Sequence, residues 1–104
     1  SGSAEFDFQR PFAMNDYDVD AIKLGMTSDM GADWWSPPKT DLYDWESETW
    51  VQLNEPQSGI NVIRNSDQFA SEDGVVRIRL SSDATNQGYC IYLNMGVEAS
   101  RVTP

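Results

Sequence analysis

Hydrophobic and polar residues alternate most clearly in the second half of the chain. In VVRIRLSS, Val75–Ser82, aliphatic side chains alternate with Arg77 and Arg79, and a period of two is typical of a β-strand with one buried face. The turn-forming residues DATNQG follow, and YCIYLNM at residues 89–95 is rich in aromatic and branched side chains. The two segments are therefore predicted to form an antiparallel hairpin.

Four further segments have the length and composition of short strands. They are TWVQL at Thr49–Leu53, GINVIRN at residues 59–65, DVDAIKLGM at residues 18–26 and ASRVT at residues 99–103. No stretch sustains a helical period. The pattern predicts an all-β protein, a compact small sandwich or barrel of five to six short antiparallel strands with an extended N-terminal arm.

The first 17 residues differ from the rest of the chain. They contain Phe6, Phe8 and Phe12, but a proline and flanking acidic and small residues interrupt any strand pattern. Residues 1–17 are therefore predicted to be an extended arm that carries apolar anchors, and residues 18–104 to be a single β-domain. A chain of 104 residues has room for one core of this kind.

Charge limits the choice of partner. The formal net charge is −10, of which −9 falls within residues 1–55 and −1 within residues 56–104. An acidic field of this strength repels phosphate backbones, so no nucleic-acid partner is expected. No apolar run is long enough to cross a bilayer, so no membrane partner is expected either. A basic protein surface, a metal ion and a saline habitat would each suit this charge, as would a surface that is merely well solvated.

The sequence lacks most catalytic machinery. It has no histidine, which excludes histidine-based triads and most zinc sites, and it has no glycine-rich phosphate loop. The single cysteine, Cys90, lies in an apolar segment and reads as a buried structural thiol. A single cysteine is compatible with a protein of the cytoplasm, of a virion or of an extracellular setting. A virion or an extracellular location is favoured. We expect a protein that is not an enzyme and that uses no cofactor.

The sequence gives weak support for one bound metal ion, calcium. Asp16, Asp18 and Asp20 stand at alternate positions, as at the start of a calcium loop. The later ligand positions do not match, because Ala21 stands in place of the turn glycine and Thr27 in place of the bidentate glutamate. The three aspartates are weak metal candidates, and the exposed face of a strand is the favoured explanation of their spacing.

One segment, DWWSPPKTDLYDWESETW at residues 33–50, holds all four tryptophans and five carboxylates. Tryptophan and tyrosine are enriched in protein interfaces. The segment is predicted to be an irregular, proline-stiffened loop, with Trp50 at its end assigned to the core. The predicted partner-binding residues are those of this loop together with the arm, namely Phe6, Phe8, Phe12, Trp34, Trp35, Tyr43 and Trp45.

These observations favour a structural or interaction protein that docks on neighbouring subunits of a larger assembly. A decoration or joining protein of a virion is one example, and a homo-oligomer is another form that such an assembly takes. Two alternatives stay open. The aromatic segment from Trp34 to Trp50 is also suited to a carbohydrate-binding module, because flat rings stack on sugars, and the acidity is also suited to an inhibitor that imitates DNA.

Overall fold

The computed structural model describes residues 2–9, 17–28, 38–82 and 91–101. These residues form strands joined by turns, with one turn of 3-10 helix at Asp67–Phe69. The strands are β1 (Gly2–Gln9), β2 (Tyr17–Ser28), β3 (Lys39–Asp44), β4 (Thr49–Leu53), β5 (Gly59–Arg64), β6 (Val75–Ser82) and β7 (Ile91–Arg101). The predicted all-β class is confirmed.

The seven strands form two antiparallel sheets that pack as a sandwich. The larger sheet has the strand order β1-β6-β3-β4 and the smaller sheet has the order β5-β2-β7. In the larger sheet, Leu42 of β3 pairs with Ile78 of β6, and Phe6 of β1 pairs with the same isoleucine. Because paired residues share a face, these pairs place one row of apolar side chains across the sheet.

The core lies between the two inner faces. The smaller sheet contributes Ile22, Leu24 and Met26, and the larger sheet contributes Val76 and Ile78. All five side chains are fully buried. Removing this apolar surface from water is the main stabilising term that the fold has available. The inward direction predicted for Val76, Ile78 and Leu80, with the arginines outward, agrees with this packing.

The predicted hairpin of residues 75–82 and 89–95 is wrong. Strand β6 pairs with β1 and β3 in the larger sheet, whereas β7 pairs with β2 in the smaller sheet. A period of two indicates which face of a strand is buried, but it does not identify the neighbouring strand. The short strand expected at residues 99–103 is the continuation of β7, which extends to Arg101.

The strand count also needs correction, since the described residues contain seven strands where the sequence predicted five or six. Two strands arise where the sequence predicted none. Residues Gly2–Gln9, expected to be part of an arm without a core strand, are extended but pair along their full length with β6. Residues Lys39–Asp44, expected to lie in an irregular loop, pair with β4 and β6 as β3. Four of the eight residues of the first segment and four of the six residues of the second are polar, and they hide the apolar face from a sequence pattern.

Candidate functional site

The β3–β4 hairpin presents the aromatic side chains. Its turn is held by Asp44, whose Oδ1 accepts hydrogen bonds from the backbone N–H groups of Glu46 (2.9 Å) and Ser47 (3.1 Å). Such a local side-chain bond is the usual role of aspartate in turns. The backbone N–H of Trp45 donates to the carbonyl oxygen of Gln68 (2.9 Å), which anchors the start of the turn to the 3-10 segment. The position of Trp45 is therefore fixed from both sides.

Three aromatic rings meet on the outer face of the larger sheet. The centre of the Tyr43 ring lies 4.9 Å from that of Trp45, with an interplanar angle of 80°, and 5.2 Å from that of Trp50, with an angle of 70°. Edge-to-face contacts of this kind add to the stability gained from burial alone. Tyr43 is the central ring, and it links the turn to β4.

Two arginines of β6 lie over these rings. The Cζ atom of Arg77 is 4.9 Å from the ring centre of Trp45 and 5.9 Å from that of Tyr43, and the Cζ atom of Arg79 is 4.3 Å from the ring centre of Trp50. Guanidinium groups at these distances are attracted to the ring faces. We call Tyr43, Trp45, Trp50, Arg77 and Arg79 the aromatic–arginine cluster.

Each arginine is also held by a carboxylate. Arg77 donates from Nε to Oδ1 of Asp7 (2.8 Å) and from Nη2 to Oδ2 (3.0 Å), a bidentate pair. Arg79 donates from Nε (3.3 Å) and Nη2 (3.2 Å) to Oδ2 of Asp41. The hydrogen bonds from Arg77 lower the pKa of Asp7 below its ordinary value of 3.8, although partial desolvation opposes the shift.

The two ion pairs differ in burial. The Asp7 side chain is half exposed, whereas the Asp41 side chain is 3% exposed and is buried on the outer face of the sheet. An exposed pair contributes little to stability, but a buried carboxylate depends strongly on its partner. We therefore expect Arg79 to contribute to the stability of the fold as well as to the shape of the cluster.

The cluster has an acidic surround. Glu5 of β1 and the turn residues Glu46 and Glu48 are exposed, and no ion pair holds any of these three carboxylates among the described residues. Glu46 directly follows Trp45 in the chain and Glu48 stands two residues further on, while Glu5 lies opposite Arg79 in the register of β1 and β6. The surface therefore combines a centre of aromatic and arginine side chains with a negatively charged rim.

One polar group of the cluster is not satisfied. The indole Nε1 of Trp45 is buried and has no hydrogen-bond partner among the described residues. A buried donor without a partner costs free energy. The ring of Trp45 therefore occupies this position because of its contacts with Tyr43 and Arg77 rather than because of its N–H group.

The predicted partner-binding residues do not form one surface. Tyr43 and Trp45 belong to the cluster. Phe6 and Phe8 lie on the opposite, inward face of β1, where Phe8 packs against the core and Phe6 is 41% exposed. The other three, Phe12, Trp34 and Trp35, lie outside the described residues, as does Cys90.

The aspartates considered for calcium form no site in the part of the chain that the structure describes. Asp16 lies outside it, while Asp18 and Asp20 are exposed on β2. Asp20 accepts a hydrogen bond from Ser100 Oγ (3.2 Å). Among the described residues, no three acidic, histidine or cysteine side chains are close enough together to hold a metal ion.

Sequence reasoning missed three members of the cluster. Trp50 was assigned to the core, but it lies on the outer face, because it pairs with Tyr43 and not with the inward Leu42. Arg77 and Arg79 were recognised as outward residues and treated as solvated charges. The acids Asp7 and Asp41 could have indicated that these arginines form ion pairs. However, the acids lie close to the arginines only because of the order of the strands, which the sequence does not reveal.

The comparisons with known proteins give a family and no function. The chain matches the family described as Domain of unknown function (DUF8815) over residues 1–99, and it belongs to that family. No curated protein and no solved structure matches it. Within the described ranges there is no helix long and apolar enough to span a membrane.

Proposed function

We propose that this protein is a non-enzymatic interaction domain that docks on a neighbouring subunit of a larger assembly, such as a virus particle, through the aromatic–arginine cluster. The observation that supports the proposal is the composition and order of the cluster. Tryptophan, tyrosine and arginine are the side chains that most often dominate the free energy of binding at protein interfaces. Here five of them lie together on one face of a sheet.

The cluster is also preorganised. Tyr43 contacts both tryptophans, and Arg77 and Arg79 are each fixed by a ring and a carboxylate. Side chains that are already ordered lose little conformational entropy on binding. A partner would therefore gain most of the contact energy of these five side chains without having to order them.

The expected partner is a basic protein surface. The three exposed carboxylates of the rim, Glu5, Glu46 and Glu48, form no ion pair among the described residues, and the whole chain carries a net charge of −10. Lysine and arginine residues of a partner would approach this rim while its apolar side chains cover the rings. Rim charges act mainly on the association rate and make binding sensitive to salt.

The carbohydrate-binding alternative has weaker support from the geometry. Sugar stacking needs an open ring face, but Arg77 covers one face of Trp45 and Arg79 covers one face of Trp50. The DNA-mimic alternative is also less well supported, because Asp7 and Asp41 on this face are already paired with arginines.

The proposal is tested with a labelled basic peptide of alternating lysine and leucine, and with a glutamate–leucine peptide as its acidic control. Fluorescence polarisation should show binding of the basic peptide only, and the affinity should fall as salt is raised. Neutralising the rim with the double change Glu46→Gln and Glu48→Gln should weaken binding several-fold and reduce the salt dependence.

A matched double change, Glu55→Gln and Glu72→Gln, removes the same charge from exposed loop positions outside the cluster. It should leave binding nearly unchanged. Equal loss in both double variants would mean that the peptide responds only to net charge, and the proposed site would be wrong.

A further inference from the structure

The outer face of the smaller sheet carries the most exposed apolar side chains among the described residues. Ile60 is 70% exposed, Tyr92 is 60% exposed and Val62 is 45% exposed. The register places all three on one face, because Ile60 pairs with Gly25, Val62 with Lys23, and Tyr92 with Thr27. Exposed apolar side chains grouped on one face mark an interaction surface more often than single ones do.

The centre of this face is flat. Gly25 lies between Ile60 and Asn94, and a Cβ atom at Gly25 would collide with the Asn94 side chain, which therefore lies across the glycine. One row further along β7, Gly96 has open space where a side chain would stand. The face thus has a projecting side chain at Tyr92 and a vacant position at Gly96. These two positions lie at equal distances on either side of the row formed by Ile60, Gly25 and Asn94.

The charges on this face differ from those around the cluster. Lys23 forms an ion pair with Glu98 (2.9 Å), and Arg64 also acts on Glu98 to lower the pKa of that carboxyl, with Lys23 as the larger cause. Asp18 and Asp20, which form no ion pair among the described residues, lie at the far end of β2, away from the apolar side chains. In a chain of net charge −10, two copies would repel each other less through this face than through the acidic rim of the cluster.

We infer that this face binds the same face of a second copy of the chain, with a two-fold axis running across the strands along the row of Ile60, Gly25 and Asn94. Contacts in such a dimer are reciprocal. Ile60 of each copy then lies against Ile60 of the other, and Tyr92 of each copy fills the open position over Gly96 of the other. The acidic ends at Asp18 and Asp20 point to opposite ends of the interface.

The pairing follows from the symmetry of the rows. A two-fold rotation about an axis through Ile60, Gly25 and Asn94 reverses the direction of the strands. Each strand of one copy therefore lies over the same strand of the other copy. Tyr92 stands two residues before Asn94 on β7, and Gly96 stands two residues after it, so the rotation exchanges their positions. Two sheets stacked face to face are separated by about 10 Å, a gap that side chains of this size fill. The inference does not depend on the aromatic–arginine cluster, which lies on the other sheet.

The test is the oligomeric state by size-exclusion chromatography with light scattering. The patch is small, so we expect a dimer with a dissociation constant on the order of 10–100 µM. Ile60→Asp and Ile60→Lys should each be monomeric, and their equimolar mixture should form a dimer, because the two new charges meet across the axis. Gly96→Leu should also be monomeric, since it occupies the position that Tyr92 needs.

The control is Val51→Asp, which places the same charge at an exposed valine on the edge strand β4 of the other sheet; it should remain dimeric. Thermal melts check that each variant is folded. If a variant is not folded, Tyr92→Ser is used in its place, and it should be monomeric. A wild-type chain that stays monomeric at millimolar concentration would overturn the inference and leave the face to a different protein. Failure of the mixed Ile60 variants to associate would overturn the two-fold arrangement.

Discussion

The guanidinium of Arg79 lies over the ring of Trp50, with its Cζ atom 4.3 Å from the ring centre, while its N–H groups reach the buried carboxylate of Asp41. One side chain thus connects β6 with both β3 and β4. Arg77 repeats the arrangement one row away with Trp45 and Asp7. The outer face of the larger sheet is consequently an ordered surface rather than a set of independent solvated charges.

Arg79→Gln should lower the free energy of unfolding by about 2 kcal/mol, because it leaves the carboxylate of Asp41 buried without a cation. Urea denaturation measures the loss. Arg77→Gln is the matched control and should cost less, since its partner Asp7 is half exposed. Equal losses in the two variants would show that Asp41 does not depend on Arg79.

The pKa of Asp7 should lie below 3.8 in the folded protein and return to its ordinary range in Arg77→Gln. Because folding lowers this pKa, the pair stabilises the protein fully above about pH 4, and the contribution is lost as the pH falls through the lowered value. A carboxyl-detected NMR titration of both proteins measures the shift. The same pKa in both would mean that the bidentate pair does not form in solution.

Phe8→Ala should destabilise the protein by about 2–3 kcal/mol, because Phe8 packs against the core. Phe6→Ala should cost less, since that ring is 41% exposed. Both effects are read from urea denaturation. If neither change alters stability while association is lost, residues 2–9 act as a detachable arm, as the sequence predicted, and not as a strand of the sheet.

The sequence predicted the fold class and most strands, because period-two alternation depends on local residues alone. Val75–Ser82 and Thr49–Leu53 match the structure residue for residue. The prediction from sequence failed for features that depend on which strands are neighbours in a sheet. The partners of β6 are β1 and β3, strands in which half or more of the residues are polar, and neither strand was predicted.

The candidate site was only partly predictable for the same reason. Tyr43 and Trp45 were identified from residue type, since aromatic side chains in an acidic segment are unusual. Trp50 was misplaced because its face is set by pairing with Tyr43. The contacts of Arg77 and Arg79 are made with strands that are distant in sequence. The residue pattern within β6 therefore cannot predict them.

Trp45→Phe should be at least as stable as the wild type, whereas Trp45→Ala should be clearly less stable. Phenylalanine keeps an aromatic ring beside Tyr43 and Arg77 and removes the buried indole N–H that lacks a partner among the described residues. Alanine removes the ring contacts as well. Thermal melts of the three proteins give the order. A Phe variant as unstable as the Ala variant would indicate that the indole N–H has a partner.

The central claim is that the aromatic–arginine cluster contacts a basic partner, and the most direct measurement is a two-dimensional ¹H–¹⁵N NMR titration with the alternating lysine–leucine peptide. The indole N–H signals of Trp45 and Trp50 and the backbone signals of Tyr43 and Arg77 should shift together and saturate. The backbone signals of Ile60 and Tyr92 on the other sheet should stay in place. Shifts at Ile60 and Tyr92 with an unchanged cluster would contradict the account.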